Sequence, residues 1–172
     1  YKEVLLQQLL DDPEQEEIGL MGMALNNGQV VIPGVIHKIR SYPTGKGSTS
    51  YAKFSPVMSE MNEQKIKQFV SATGYVGIFD IEMIKAYGKY WFIEINYRNG
   101  QYGYTPTAAG YNLPANWVHG MKNEKVEKCN NLQKIYYINE REDYRHVKEG
   151  TINRKEWLKE FHTASAYGMY CP

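Results

Sequence analysis

The sequence predicts an α+β fold, an antiparallel sheet with helices packed on one face, on three observations. Several segments have the length and apolar content of strands, Gly- or Asn-containing turns separate them at hairpin spacing, and one stretch carries apolar residues at helical spacing. With 172 residues, 42% of them hydrophobic, the chain has the bulk of one globular domain or one lobe of a larger one.

The elements follow in chain order. EVLLQQLL (3–10) reads as a strand, followed by an acidic turn at Asp11-Asp12-Pro13. IGLMGMAL (18–25) and QVVIPGVIHKIR (29–40) read as two strands joined by the hairpin loop NNG (26–28). SYPTGKGSTS (41–50) is a Gly- and Ser-rich loop. SEMNEQKIKQFVSATG (59–74) is an amphipathic helix, with Ile66, Phe69 and Val70 on one side and Gly74 at its C-terminus. YVGIFDIEMIKA (75–86) and KYWFIEINYR (89–98) face each other across a turn at Tyr87-Gly88. A loop and short helix fill 100–122, KIYYIN (134–139) is a further strand, and Asn153 begins a helix over about 153–166.

Charge and cysteine content exclude several classes. A formal charge of +1 provides no electrostatic basis for binding nucleic acid or an anionic membrane. No apolar run is long enough to span a bilayer. Cys129 and Cys171 form no framework of short spacings, which points to a reducing compartment, the cytoplasm.

The candidate chemistry lies in the facing strands. Glu94, Asn96 and Arg98 alternate, so they share one face. An odd-numbered connection such as Ala86-Tyr87-Gly88 would place Asp80 and Glu82 on that same face, whereas a strictly two-residue turn would put them on the opposite one. The odd loop is favoured because it also gathers Phe79, Ile81, Met83, Ile93 and Ile95 into one apolar surface. Carboxylates opposed across a sheet repel by roughly 0.2–1 kcal/mol, and with no lysine nearby they imply either partial protonation or a cation from outside the chain. Mg²⁺ accepts such oxygen ligands and fills its shell with water and phosphate oxygens. The plain alternative is a solvated polar face, which antiparallel hairpins commonly carry.

The whole segment GYVGIFDIEMIKAYGKYWFIEINYRNG resembles the metal-binding hairpin of the ATP-grasp superfamily, in its carboxylate–amine ligase and carbamoyl-phosphate-synthase-like group. The resemblance implies the C-terminal lobe of an ATP-grasp fold. It makes Glu82 the first acidic metal ligand, with Asp80 as second choice, Glu94 the bridging ligand and Asn96 the second-metal ligand. Arg98 corresponds to an arginine near the transferred phosphate or the reacting carboxylate. Gln7, Gln8 and Leu10 fall in the segment whose backbone holds the adenine edge, although the family usually has Glu at the Gln7 position. Glu17, with Glu16 beside it, falls near a ribose-binding or polar position, where two exposed acids preceding a strand are the plain alternative. HKIRSYPTGKGST (37–49) is similar to a strand end and loop near phosphate and substrate, so Lys38 and Arg40 are catalytic candidates and Lys46 a loop cation. TAAGYNLPANWVHG (107–120) is similar to the turn closing the substrate side, which makes Tyr111 and Asn112 substrate candidates and leaves His119 a surface or structural residue.

The implied cofactors are ATP and Mg²⁺, with Mn²⁺ as a substitute. The implied reaction joins a carboxylate to an amine through an acyl phosphate. The expected organisation is a lobe over 1–122 and a strand–helix extension over 123–172. The expected partners are the two small-molecule substrates and an N-terminal lobe preceding Tyr1, without which the piece is expected to be inactive; a homo-oligomer is compatible with the sequence. The alternative from another class is a non-catalytic carbohydrate- or peptide-binding module, suggested by 15 tyrosines and 3 tryptophans.

Overall fold

The apolar run IGLMGMAL forms the centre of a sheet. In the computed structural model, which describes residues 3–4, 6–45, 47–56 and 61–169, it is most of β1 (Glu16–Ala24) and is buried from Ile18 onward. Alternate residues of a strand face opposite sides. Ile18 and Leu20 pack with Val70, Phe79 and Ile81 on one side. Met21 and Met23 pack with Tyr102, Leu113 and Tyr137 on the other.

Around β1 stand β2 (Val30–Val31), β3 (Val35–Tyr42), β4 (Ser48–Ser55), β5 (Gly77–Ala86), β6 (Lys89–Asn96), β7 (Ile135–Ile138) and β8 (Ala166–Tyr167). Among the described residues they form one sheet in the order β6-β5-β1-β3-β4-β7-β8, with β2 paired to β1. The β7–β8 pairing is parallel and the others are antiparallel. The helices are α1 (Glu63–Ala72), α2 (Thr105–Ala108), α3 (Leu113–Met121), α4 (Glu140–Lys148) and α5 (Arg154–Thr163). The α+β class holds. The helices are shared between the two faces: Val70 of α1 lies in the cluster with Ile18 and Leu20, and Leu113 of α3 in the cluster with Met21 and Met23.

Several elements differ from expectation. Residues 3–10 form no strand among those described. The segment 29–40 is interrupted at Pro33-Gly34, since proline contributes no N–H to the ladder. β4 was read in part as loop, although Tyr51, Ala52 and Phe54 are buried in it. The helix read as 59–74 is α1, whose Asn62 side chain caps it by accepting from the Lys65 N–H; positions 59 and 60 lie outside the described residues. α4 carries little apolar periodicity, yet Asn139 caps it, Glu140, Glu142 and Asp143 occupy its first turn, and Arg145, His146 and Lys148 its last, an arrangement that complements the helix dipole. Past residue 122, β7 pairs with β4 and so extends the same sheet. No helix among the described residues is long and apolar enough to cross a membrane.

Arg40 belongs to this framework. The β3–β4 register shifts on both sides of it, and its guanidinium lies 4.3 Å from the Tyr51 ring centroid. Nε and Nη2 donate to the two oxygens of Asp143 at 3.1 and 2.8 Å. Nη1 and Nη2 donate to Glu160 at 3.2 and 2.6 Å. Asp143, fully buried, also accepts from Ser50 Oγ and Trp157 Nε1. Arg40 shares a small groove with Lys38 beside Glu16 and Glu17, but it does not line the larger cleft that Lys38 enters, and its guanidinium is engaged by α4 and α5. Burial works against its charge, but the two carboxylates more than offset this and hold its pKa above the ordinary value. Arg40→Ala leaves Asp143 a buried carboxylate without its cation, and is expected to cost roughly 3–5 kcal/mol in urea unfolding. Arg40→Lys should recover only part of the loss, because an ammonium cannot make both bidentate contacts.

Candidate active site

The β5–β6 hairpin decides which side chains face the cleft. Ala86 pairs directly with Lys89, so the turn is the two-residue Tyr87-Gly88, with φ of 52° and 67°. Both values suit a type I′ turn. The favoured odd connection is therefore corrected. On its own this turn would oppose Glu82 to Ile93. Instead the register shifts after Met83–Phe92, and Ile93 is a bulge residue. Beyond it Glu82 faces Glu94 and Asp80 faces Asn96. The expected grouping arises from the bulge rather than from the turn. Ile93 itself joins the cleft wall, whereas Phe79, Ile81, Met83 and Ile95 pack in the core.

A cleft of about 480 Å³ lies beside this face, lined by Glu17, Lys38, Asp80, Glu82, Arg98, Gln101 and Tyr102, with Gly45 and Gly47 of the β3–β4 loop and Ser48 and Thr49 of β4. Glu94 and Asn96 lie outside its lining. Lys38 reaches across from β3. Its ammonium donates to Glu82 Oε2 at 2.7 Å and lies 3.6 Å from Glu17 Oε2. A cation from within the chain therefore stands among the carboxylates, correcting the expectation that none is near. Glu94 is exposed, makes no ion pair among the described residues, and accepts from Asn96 Nδ2 at 2.8 Å. Arg98 donates from Nη2 to Asn96 Oδ1 at 3.4 Å and from Nη1 to the Asn99 carbonyl at 3.3 Å.

Asp80 is 3% exposed and accepts from the Tyr102 hydroxyl at 2.8 Å. Gly19 makes this bond sterically feasible: it stands opposite Glu82, and a methyl group there would collide with the Tyr102 hydroxyl. Tyr102 had no signal in the sequence, because its contacts come from residues remote in the chain. Burial raises the Asp80 pKa to about 6, against the lowering effect of the Tyr102 hydrogen bond and with Glu82 adding repulsion. Burial also raises the pKa of Tyr102, with the Asp80 charge reinforcing it, so the hydroxyl remains a donor.

The other expected site residues fall elsewhere. Gln7, Gln8, Leu9 and Leu10 line a second groove of about 350 Å³ against Ile84, Trp91, Phe92 and Ile93. It meets the cleft at Ile84 and Ile93. The segment is tied to the hairpin tip where Asp11 N–H donates to Tyr87 Oη and Tyr87 N–H to Asp12. Trp91 lines this groove. Glu16 is paired with His37. Tyr111 is buried beside Leu113, and the Asn112 side chain caps α3 by accepting from Ala115 N–H at 3.1 Å; neither lines the cleft. His119 is on the surface with Glu124. Lys46 and Cys171 lie outside the described residues.

The oxygen donors suit a hard cation. Glu82, Glu94 and Asn96 come from adjacent, directly paired strands. The described residues contain no preformed group of three or more metal-binding side chains, and Mg²⁺ usually takes only one or two protein carboxylates beside substrate phosphates. The donor set fits that mode of binding.

Neither protein-family models nor curated protein sequences yield a match. Solved structures do. The ATPase subunit of phosphoribosylaminoimidazole carboxylase from Aquifex aeolicus aligns over 72% of this chain and 40% of its own, with TM-score 0.60 and 15% identity. A biotin carboxylase–β-γ-ATP complex from Campylobacter jejuni aligns over 73% of this chain and 29% of its own, with TM-score 0.56 and 13% identity. The biotin carboxylase domain dimer of Hydrogenobacter thermophilus 2-oxoglutarate carboxylase, in complex with MgADP, ADP and bicarbonate, aligns over the same shares, with TM-score 0.53 and 15% identity. This chain thus spans well under half the length of each structure. At this level of identity the fold is what is shared, and it is part of an ATP-grasp fold.

The Asp80 environment predicts a pH dependence. Its pKa is higher in the folded state, so the folded protein binds the proton more tightly and stability falls as pH rises from the ordinary value of 3.8 to about 6. Asp80→Asn is expected to flatten that slope and to raise stability above pH 6 by on the order of 2–3 kcal/mol, measured by urea unfolding across the range.

Proposed function

We infer that this chain is the nucleotide- and metal-binding lobe of a cytoplasmic ATP-dependent ligase that joins a carboxylate to an amine. One observation carries the reading: the bulge at Ile93 brings Glu82, Glu94 and Asn96 onto one face. Glu82 lines the cleft with Lys38 and Arg98. Glu94 and Asn96 lie outside its lining but are joined to it by hydrogen bonds from Arg98 to Asn96 and from Asn96 to Glu94. The cleft meets the groove at 7–10. An adenine in that groove would lie on Trp91 and Ile84, and a polyphosphate would extend toward Lys38 and Arg98.

The roles follow from charge and position. Glu82, Glu94 and Asn96 would hold Mg²⁺, which when bound offsets negative charge on the β- and γ-phosphates. Lys38, already shared by Glu17 and Glu82, can turn its remaining donors to a phosphate oxygen. Arg98 can grip phosphate or carboxylate with two parallel N–H donors. A substrate carboxylate oxygen attacks the γ-phosphorus and ADP leaves. The amine nitrogen then attacks the acyl carbon, loses a proton, and inorganic phosphate departs. Such transfers depend mainly on positioning and on neutralising charge, and the polar lining of the cleft provides for both. A partner lobe would close the open side, in keeping with the share of each neighbouring structure that this chain spans. The aromatic-rich binding module has less support, since Tyr51, Tyr102, Tyr111 and Tyr137 are buried.

Titration of the ¹⁵N-labelled chain with ATP tests the reading and tolerates weak binding. Mg²⁺-dependent shifts are expected at Lys38, Glu94, Asn96 and Arg98. Glu94→Gln should weaken the Mg²⁺-dependent component at least tenfold and leave the melting temperature unchanged, because Glu94 is exposed. No shift at several millimolar Mg-ATP would count against the nucleotide assignment.

A further inference from the structure

The β3–β4 loop, through Gly45 and Gly47, and the start of β4, through Ser48 and Thr49, form one rim of the cleft. The loop is closed on itself: Gly47 N–H donates to the Pro43 carbonyl at 2.8 Å and Gly45 N–H to Ser41 Oγ at 3.1 Å. A turn satisfied internally behaves as a small rigid unit, so its placement depends on what holds its base.

That base is closed by the pairing of Ser41 with Thr49 and Tyr42 with Ser48, and the strand end that carries it is held by α4. Three consecutive residues at the end of β3 meet three residues spaced by three along the helix and its C-cap. Arg40 bonds Asp143, the Ser41 carbonyl accepts from His146 Nε2 at 3.1 Å, and the Tyr42 hydroxyl donates to Glu149 Oε1 at 2.5 Å. Further contacts brace the pair. Arg145 lies 5.0 Å from the Tyr42 ring centroid, and the Tyr42 and His146 rings meet edge to face at 5.4 Å. His146 is buried with its other nitrogen on Thr151 Oγ1 at 3.3 Å, which fixes the ring's orientation.

We propose that α4 positions the cleft loop, with Tyr42, His146 and Glu149 as positioning residues that set where Gly45, Gly47, Ser48 and Thr49 stand relative to Lys38 and Arg98. Arg40 anchors the helix. The Tyr42–Glu149 bond governs the loop, since both partners lie at the exposed margin and can be altered without opening the core. Only the ligand arm of the test rests on the nucleotide reading.

The experiment combines amide hydrogen exchange by NMR with Mg-ATP titration on the full chain and three variants. Tyr42→Phe and Glu149→Ala are expected to speed exchange at Gly45 and Gly47 about tenfold, to leave Leu20 and Ile81 protected, and to weaken Mg-ATP at least threefold. Glu149→Gln, which retains the acceptor oxygen, should restore both readouts. Unchanged exchange at Gly45 and Gly47 overturns the proposal, as does equal acceleration of loop and core amides, which would mark a merely structural contact. Faster loop exchange with unaltered Mg-ATP affinity also overturns it. If the parent chain binds no Mg-ATP, the nucleotide reading fails and the exchange pattern alone decides whether α4 holds the loop.

Discussion

The extra residue in β6 determines what the sheet can do. A type I′ turn at Tyr87-Gly88 starts a regular ladder that holds as far as Met83–Phe92. Continued unchanged, it would have set Asp80 and Glu82 opposite Ile95 and Ile93, dividing the polar groups between the faces. The bulge at Ile93 resets the pairing, so Glu82 faces Glu94 and Asp80 faces Asn96 and the polar groups stay on one face. Opposed carboxylates cost little alone, and Lys38, 2.7 Å from Glu82, offsets that cost within the chain.

Around this reset, steric economy does most of the rest. Gly19 leaves a gap over the middle strand that the Tyr102 hydroxyl enters to reach Asp80. Burial raises the pKa of this acid even though the hydrogen bond from Tyr102 acts to lower it. At the other end of the sheet, Arg40 serves the opposite purpose. Its two carboxylate partners, Asp143 and Glu160, come from different helices, so one side chain joins α4 and α5 to the strands. The cleft and the helix pair are linked through β3, which contributes Lys38 to one and Arg40 to the other.

Much of the architecture was legible in the amino-acid order. The central apolar strand, the amphipathic α1, the hairpin and the helix begun by Asn153 follow from periodicity and capping, which are local properties. Glu94, Asn96 and Arg98 were also legible as one strand face through alternation. Glu82 was joined to them through a connection the turn does not adopt, and the presence of Lys38 among the carboxylates was not legible. β4 and α4 were missed because β4 follows a Gly-rich loop and α4 is almost wholly charged, with little apolar periodicity to mark it.

The sequence by itself determined which segments alternate, where caps and turns fall, and which oxygen-bearing side chains sit two apart. These depend only on neighbours along the chain. Tertiary structure alone decided that Ile93 bulges, that Tyr102 meets Asp80, and that Lys38 enters the cleft while Arg40, two residues on, leaves it. Asn112 likewise proved to be a helix cap. Each of those outcomes depends on register between strands or on partners more than twenty residues away, or on competition between a cap and a ligand role. In the case of Arg40, a buried carboxylate 103 residues distant outweighed the alternation that pointed it toward the cleft.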